Sequence, residues 1–334
     1  MGRAPHGCAM IISASYKTDI PAFYGRWFLN RLEAGFCRVA NPYGGRPGRV
    51  ALTRDAVDGF VFWTKNLGPF LGALESVSDA GFPFVVQYSV TGLPGGLERS
   101  VPAWERAVEH MAGVRDRWGP RAVVWRYDPI VTLDSTLDST LSSTAAGPPG
   151  GHRATFARLA AALRGITDEA VVSFLQPYRK TVRNLGAAGL SWRDPEVEEK
   201  RALLADLAGI AAGQGMALTL CTQPALAGVP GTAPARCVDA ARLSDVAGRP
   251  LAAREKGNRP GCLCAQSRDI GAYDSCPHGC VYCYAVANRA AARRGLAAHD
   301  PEGEFLSAPA GTPPDRAAAA TGRPSSPSRP ACPD

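Results

Sequence analysis

No apolar run in the 334-residue chain is long enough to span a bilayer, which argues against a helical membrane protein. The opening stretch, Met1 to Ala9, lacks the hydrophobic segment of a secretory signal, so the expected compartment is the cytoplasm. There is no dense basic run and no basic patch interleaved with aromatics. The net charge of +7 therefore reads as a solvated basic surface that permits contact with nucleic acid without requiring it. Without an export signal the usual setting for disulfides is missing, and the ten cysteines read as metal ligands and buried thiols. What the chain has in quantity is apolar side chain, 46% of it, ample for one large α/β domain or two ordinary ones.

Six apolar runs read as strands: 11–15, 59–63, 84–90, 122–128, 170–175 and 216–220. Between them lie helical patterns at about 21–34, 69–80, 102–118, 152–164 and 195–212, and one more comes at about 284–294. Strands alternating with helices predict parallel βα units with right-handed crossovers, wound into a (β/α) barrel or partial barrel of about six strands. The expected domain covers 10–298, with a cysteine-rich C-terminal region at 221–285. Residues 133–151 carry a Leu-Asp-Ser-Thr near-repeat and a Gly/Pro stretch, and read as a flexible insertion. The Pro/Ala/Ser/Thr-rich segment 301–334 reads as a disordered tail.

In such a sheet the active mouth lies at the strand C-termini. Nearly every predicted strand exits into polar groups there, and strand ends meet water in any fold. Lys65 in Val-Phe-Trp-Thr-Lys and Arg126 and Asp128 in Val-Val-Trp-Arg-Tyr-Asp are harder to attribute to solvent, because unpaired burial of charge is costly. Arg126 and Asp128 stand two apart and so share a face. These three are the candidates for contacts at the mouth, with a structural ion-pair network as the alternative.

The densest chemistry is Cys276-Pro-His-Gly-Cys280-Val-Tyr-Cys283. Three thiolates on one tight loop leave one position of a metal cluster unfilled. A Cys3His zinc site using His278 is an alternative, although His278 sits cramped between two of the cysteines, and so is an electron-transfer iron–sulfur site. The C-x3-C-x2-C spacing, with aromatic Tyr282 before the last cysteine, resembles the loop of radical S-adenosylmethionine (SAM) enzymes. That resemblance implies a 4Fe–4S cluster on Cys276, Cys280 and Cys283, with SAM on the fourth iron.

Further stretches resemble the bacterial domain-of-unknown-function family 1848: Ser13 to Tyr24, Phe62 to Asn66, Trp125 to Ile130 and Asp269 to Ala285. That family has a C-terminal cysteine cluster similar to the radical SAM one. The resemblance implies a radical SAM-type enzyme that cleaves S-adenosyl-L-methionine reductively and abstracts hydrogen from an unknown substrate. Such an enzyme needs an electron donor such as a flavodoxin or ferredoxin. A non-catalytic iron–sulfur or zinc protein and a nucleic-acid repair or modification enzyme are the rivals. The loop comes after the sixth predicted strand, whereas radical SAM cysteines usually come after the first, so a circularly permuted barrel is expected.

Four more cysteines, Cys221, Cys237, Cys262 and Cys264, stand at spacings of sixteen, twenty-five and two. Two cysteines one residue apart in a polar loop have no packing reason to be there, so this group reads as a second iron–sulfur cluster or a zinc site. Cys8, Cys37 and Cys332 fall outside both groups and read as small apolar residues.

Overall fold

The computed structural model describes residues 10–41, 45–133 and 151–308. Residues 134–150 of the expected insertion, most of the expected tail, Cys8 and Cys332 lie outside the described residues.

The chain forms the strands β1 (Met10–Ala14), β2 (Phe36–Val39), β3 (Gly48–Ala51), β4 (Val57–Thr64), β5 (Phe84–Ser89), β6 (Val123–Ile130), β7 (Glu169–Phe174), β8 (Ala217–Leu220), β9 (Thr232–Pro234) and β10 (Ser267–Asp269). Its helices are α1 (Ile20–Phe23), α2 (Gly25–Glu33), α3 (Leu71–Asp79), α4 (Trp104–Trp118), α5 (Gly151–Ala162), α6 (Arg179–Ala187), α7 (Val197–Gly213), α8 (Ala240–Ala247) and α9 (Arg289–Ala297). Eight strands make one sheet in the order β10-β1-β4-β5-β6-β7-β8-β9, and every ladder in it is parallel. β2 and β3 form a separate antiparallel pair.

The six predicted strands are all present, but the sheet is larger than expected. Its two additional strands, β9 and β10, sit at opposite ends of the order. Each has three residues, Thr-Ala-Pro and Ser-Arg-Asp, with no apolar alternation to betray it. Proline is tolerated in β9 because an edge strand has one free side. The ladders run from β10 to β9 without joining those ends among the described residues, so what they establish is a large parallel sheet.

Alternation along the strands sorts the side chains into two layers. Phe60, Phe62, Phe84, Val86, Trp125, Tyr127 and Val172 pack under the helices in the principal core. Ile11, Val61, Val85, Val124 and Val171 point to the opposite face, into a smaller cluster with Cys221, Cys237 and Cys264. Burial on both faces explains why the strands read as continuous apolar runs instead of alternating ones.

Two helices, α6 and α8, escaped the sequence pattern, and the expected helix at 21–34 is interrupted at Tyr24. The expected helix at 284–294 starts later, at Arg289, where the Asn288 side chain accepts from Ala291 N at 3.0 Å and caps it. The packed region also extends past residue 301. Trp27 Nε1 donates to Gly303 O at 2.9 Å, Arg38 N donates to Glu304 O at 2.9 Å, and Phe305 and Leu306 are buried. Residues 301–306 are thus part of the domain, not of the tail. No helix among the described residues is long and apolar enough to cross a membrane.

His152, at the start of α5, donates from Nε2 to Val131 O (2.9 Å) and accepts at Nδ1 from the Tyr127 hydroxyl (2.8 Å). Burial holds its pKa below the ordinary value, and burial does the same for His110 and His299. The unfolded chain therefore takes up protons first as pH falls, and stability is lost as pH drops below about 6.5. The melting temperature is expected to fall between pH 7 and pH 5, and His152→Asn to flatten that slope; an unchanged slope would show that His152 is not a contributor.

Candidate functional site

The C-terminal ends of the strands carry a connected set of buried polar groups. At the end of β10, Asp269 accepts from Ser13 Oγ and Ser15 Oγ (2.8 Å each), from Tyr16 N (3.1 Å) and from Gly271 N (3.0 Å). Lys17 Nζ lies 3.4 Å from the same carboxylate. Gly271 has to be glycine here, because a Cβ would overlap the Ser15 hydroxyl. The exits of β10 and β1 are therefore locked together.

The cysteine loop leaves β10 from this knot. It was expected after the sixth strand and instead comes after the short edge strand beside β1. Asp274 N donates to Ala285 O at 3.0 Å and closes the loop, while Cys283 N donates to Cys280 O at 3.1 Å inside it. Gly279 adopts φ +77°, and a side chain there would run into Arg289. From outside, α6 grips the loop backbone. Thr181 Oγ1 donates to Tyr282 O (3.1 Å), Asn184 Nδ2 to Val286 O (2.9 Å) and Arg183 Nη2 to Ala287 O (2.9 Å).

Two buried carboxylates that sequence reasoning did not single out as site residues hold the loop's inner side. Asp19 caps α1 through Ala22 N (2.9 Å), accepts from Lys65 N (2.7 Å), and lies 2.8 Å from His278 Nε2. His278 donates its other ring nitrogen to Ser100 O at 2.8 Å. Both nitrogens are engaged, so His278 is a strut of the loop and not a fourth ligand. Glu98 gathers Lys65 Nζ (2.8 Å), Thr91 Oγ1 (2.8 Å) and the Tyr282 hydroxyl on one oxygen, and its backbone bridges to Cys280. Asp19 stands just before Ile20-Pro21, a pattern that suits a capped helix start; Glu98, in a Gly/Pro-rich stretch, belongs to no such pattern.

The three loop cysteines are free and half-buried. They lie near enough for Cys276 and Cys283 each to act on another's proton affinity. Burial pushes the Cys276 thiol up to about 12, with the charge of Asp19 adding to it. Burial also raises Cys280 and Cys283, against the opposing positive charge of Lys65. Burial by itself would lower Lys65, but the negative groups around it, Glu98 foremost, turn its net shift upward. Lys65 Nζ also stands 5.8 Å over the Tyr282 ring.

Arg126, buried, and Asp128, partly buried, form an ion pair on the face of the sheet opposite the principal core, and Ser173 Oγ donates to Asp128. Arg126 also stacks over Trp63 at 5.0 Å and donates to Cys237 Sγ at 3.0 Å. The three charged candidates thus divide: Lys65 faces the cysteine loop and Arg126 faces the second cysteine group. Asp128 lies between, its charge acting on both Lys65 and Cys221. Cys37 is fully buried in β2, as expected of an apolar filler.

Among the described residues no three His, Cys, Asp or Glu side chains are grouped to hold a single metal ion. With His278 turned away, a Cys3His zinc cage is not what this loop builds. A cubane cluster asks for something else: thiolates that each reach a different iron, with backbone N–H groups directed at sulfur. The loop offers this donor chemistry, since Ala285 N donates to Cys283 Sγ at 3.4 Å. Beside it the Thr18 hydroxyl is buried without a partner. The residues present fit a sulfur-ligated cluster better than a single ion.

Fold and site together describe an α/β protein with a parallel sheet and a cysteine loop anchored at the exit of its edge strand. The family model for a domain of unknown function (DUF1848) matches residues 11–285, and the chain belongs to that family. No curated protein and no solved structure matches the chain.

Asp19 joins a helix cap, the Lys65 backbone and His278, so its loss leaves buried donors unpaired. Asp19→Ala is expected to cost about 2 to 4 kcal/mol in urea denaturation, and Asp19→Asn clearly less. A loss below about 0.5 kcal/mol would show that the loop does not depend on this carboxylate.

Proposed function

We propose that the chain is a radical SAM-type enzyme that abstracts hydrogen from an organic substrate, with its cysteine loop displaced to the C-terminus by circular permutation. One observation carries this reading: the loop with Cys276, Cys280 and Cys283 leaves a strand that pairs in parallel with β1. The unit β10–loop–α9 then stands beside β1 as a first βα unit would, succeeded across the sheet by β4, β5, β6 and β7. Closure of the sheet into a barrel belongs to the same proposal.

When bound, a 4Fe–4S cluster with SAM on its open iron supplies one-electron cleavage of SAM, using an electron from a donor such as a flavodoxin or ferredoxin. Cys276, Cys280 and Cys283 would hold it. The chain's own groups prepare the surroundings. Lys65 places a positive charge beside Cys280, which offsets the negative charge that ligation gathers on sulfur. Glu98 fixes Lys65 and Tyr282 in one arrangement, so neither must reorganise when ligands arrive. The buried floor of Tyr282, Leu97 and Val281 keeps water from the loop's inner side. Arg126 and Asp128, farther along the sheet, are the groups that would contact substrate, with polar Ser89 and Ser173 beside them at the strand ends.

The test is anaerobic reconstitution with iron and sulfide, then reduction with SAM and a search for 5′-deoxyadenosine. The unmodified chain is expected to show the visible absorption of a cluster and to release 5′-deoxyadenosine. Replacing Cys276, Cys280 or Cys283 by Ala is expected to abolish 5′-deoxyadenosine release and to remove this cluster's share of the absorption, while leaving the far-ultraviolet dichroism of the sheet intact. An intact cluster that yields no 5′-deoxyadenosine above a protein-free control would refute the enzymatic reading.

A further inference from the structure

The four cysteines outside the loop come from three places that are distant in sequence: Cys221 from just past β8, Cys237 from just past β9, and Cys262 and Cys264 from the segment before β10. In the fold they meet. Cys237 Sγ stands 3.6 Å from Cys221 Sγ. The Cys264 thiol lies against that of Cys237, and its sulfur accepts from Val238 N at 3.4 Å. Cys262 packs at the edge of the same cluster, partly open to solvent.

Cysteine often serves as a small apolar filler, and the surrounding valines and alanines suit that role. Two guanidinium groups do not. Buried Arg126 directs Nη1 at Cys237 Sγ at 3.0 Å, and Arg259 directs Nη2 at Cys221 Sγ at 3.5 Å. A neutral thiol is a weak acceptor, whereas a metal-bound thiolate is an anion that repays such donors. Thiolates on a tetrahedral ion with bonds of about 2.3 Å lie roughly 3.8 Å apart, close to the spacing of Cys221 and Cys237. The third and fourth sulfurs do not close round an ion as they stand. Cys262 lies in the stretch 257–263, outside any helix or strand, whereas Cys264 is buried and its carbonyl accepts from Lys256 N at 2.9 Å, so Cys262 is the ligand that has to move in.

We infer that Cys221, Cys237, Cys262 and Cys264 form a second, thiolate-ligated metal centre, independent of the cysteine loop and structural in purpose. Its ligands come from both ends of the strand order, β8–β9 on one side and the approach to β10 on the other. Between those ends the backbone is tied here by Ala265 N, which donates to Val238 O at 2.9 Å. A metal there would pin the end of the sheet that carries β10, and hence the loop beyond it. The shared chemistry is thiolate ligation; a zinc ion and an iron–sulfur cluster are its two sources.

The experiment uses the full chain with Cys276→Ala, Cys280→Ala and Cys283→Ala, purified without oxygen, with zinc, iron and acid-labile sulfide measured per chain. About one zinc, or iron with matching sulfide, is expected to remain, and the colour and sulfide distinguish the two sources. Adding Cys262→Ser and Cys264→Ser is expected to lower metal occupancy at least about tenfold. A second measurement needs no substitution: in the unmodified chain Cys262 should resist iodoacetamide until a chelator is added. A triple variant that stays metal-free after reconstitution with zinc or with iron and sulfide would overturn the inference. So would full labelling of Cys262 before chelation, or a Cys221–Cys237 disulfide in the anaerobically purified protein. Each readout is separate from SAM cleavage, so the outcome does not depend on that reaction.

Discussion

The carboxylate of Asp269 is the constraint on which the site depends. β10 is three residues long and lies at the end of the sheet, too short for its ladder alone to fix the loop that leaves it. Asp269 adds two hydroxyls, two backbone N–H groups and the Lys17 ammonium, nearly all from the exit of β1. Charge-assisted bonds of this kind are about twice as strong as neutral ones, and here they are shielded from solvent. The cysteine loop therefore inherits its position from β1, a short strand buried along nearly its whole length.

Burying Asp269, Asp19, Glu98 and Arg126, and partly burying Lys65 and Asp128, around the strand exits is costly unless each charge is paired or bonded. Each of them is. The carboxylates next to the loop each answer several groups: Glu98 serves a lysine, a threonine and a tyrosine, and Asp19 a helix end, a strand exit and a histidine. Such a network contributes less to stability than an apolar core of the same volume would. What it fixes is the position of groups around the loop, which is the property a site needs.

What the sequence revealed came from the strength of its patterns. The six long strands were legible because burial on both faces makes them uninterrupted apolar runs, and Cys276, Cys280 and Cys283 because spacing on one loop is a local property. The facing of Arg126 and Asp128 came from strand alternation, since they stand two apart. β9 and β10 were hidden because three polar or proline-containing residues carry no period. α6 was hidden because its Arg-Lys-Thr-Val-Arg-Asn face looks solvent-exposed, while Thr181 and Asn184 in fact bind the loop. Glu98 was invisible for a more general reason. It is a site residue only through partners 7, 33 and 184 positions away, and no single-sequence pattern encodes such distances.

The two faces of the sheet differ in what they bury. The helix-covered face carries the aromatic residues, with Phe28, Phe60, Phe62, Phe70 and Phe84 in mutual edge and stacked contact, and Trp125 stacked on Phe156 at 4.6 Å. Full burial of such rings contributes about 1.5 to 3 kcal/mol each in transfer terms, before ring geometry adds to it. The opposite face has small aliphatics at the strand starts and charged or sulfur-bearing residues toward the strand ends. Because the residue that packs the core and the residue that faces the site alternate along the same strand, Val86 beside Gln87 or Trp125 beside Arg126, substitution on one face leaves the other in place. That separation lets polar groups gather at the strand exits without loosening the sheet that positions them.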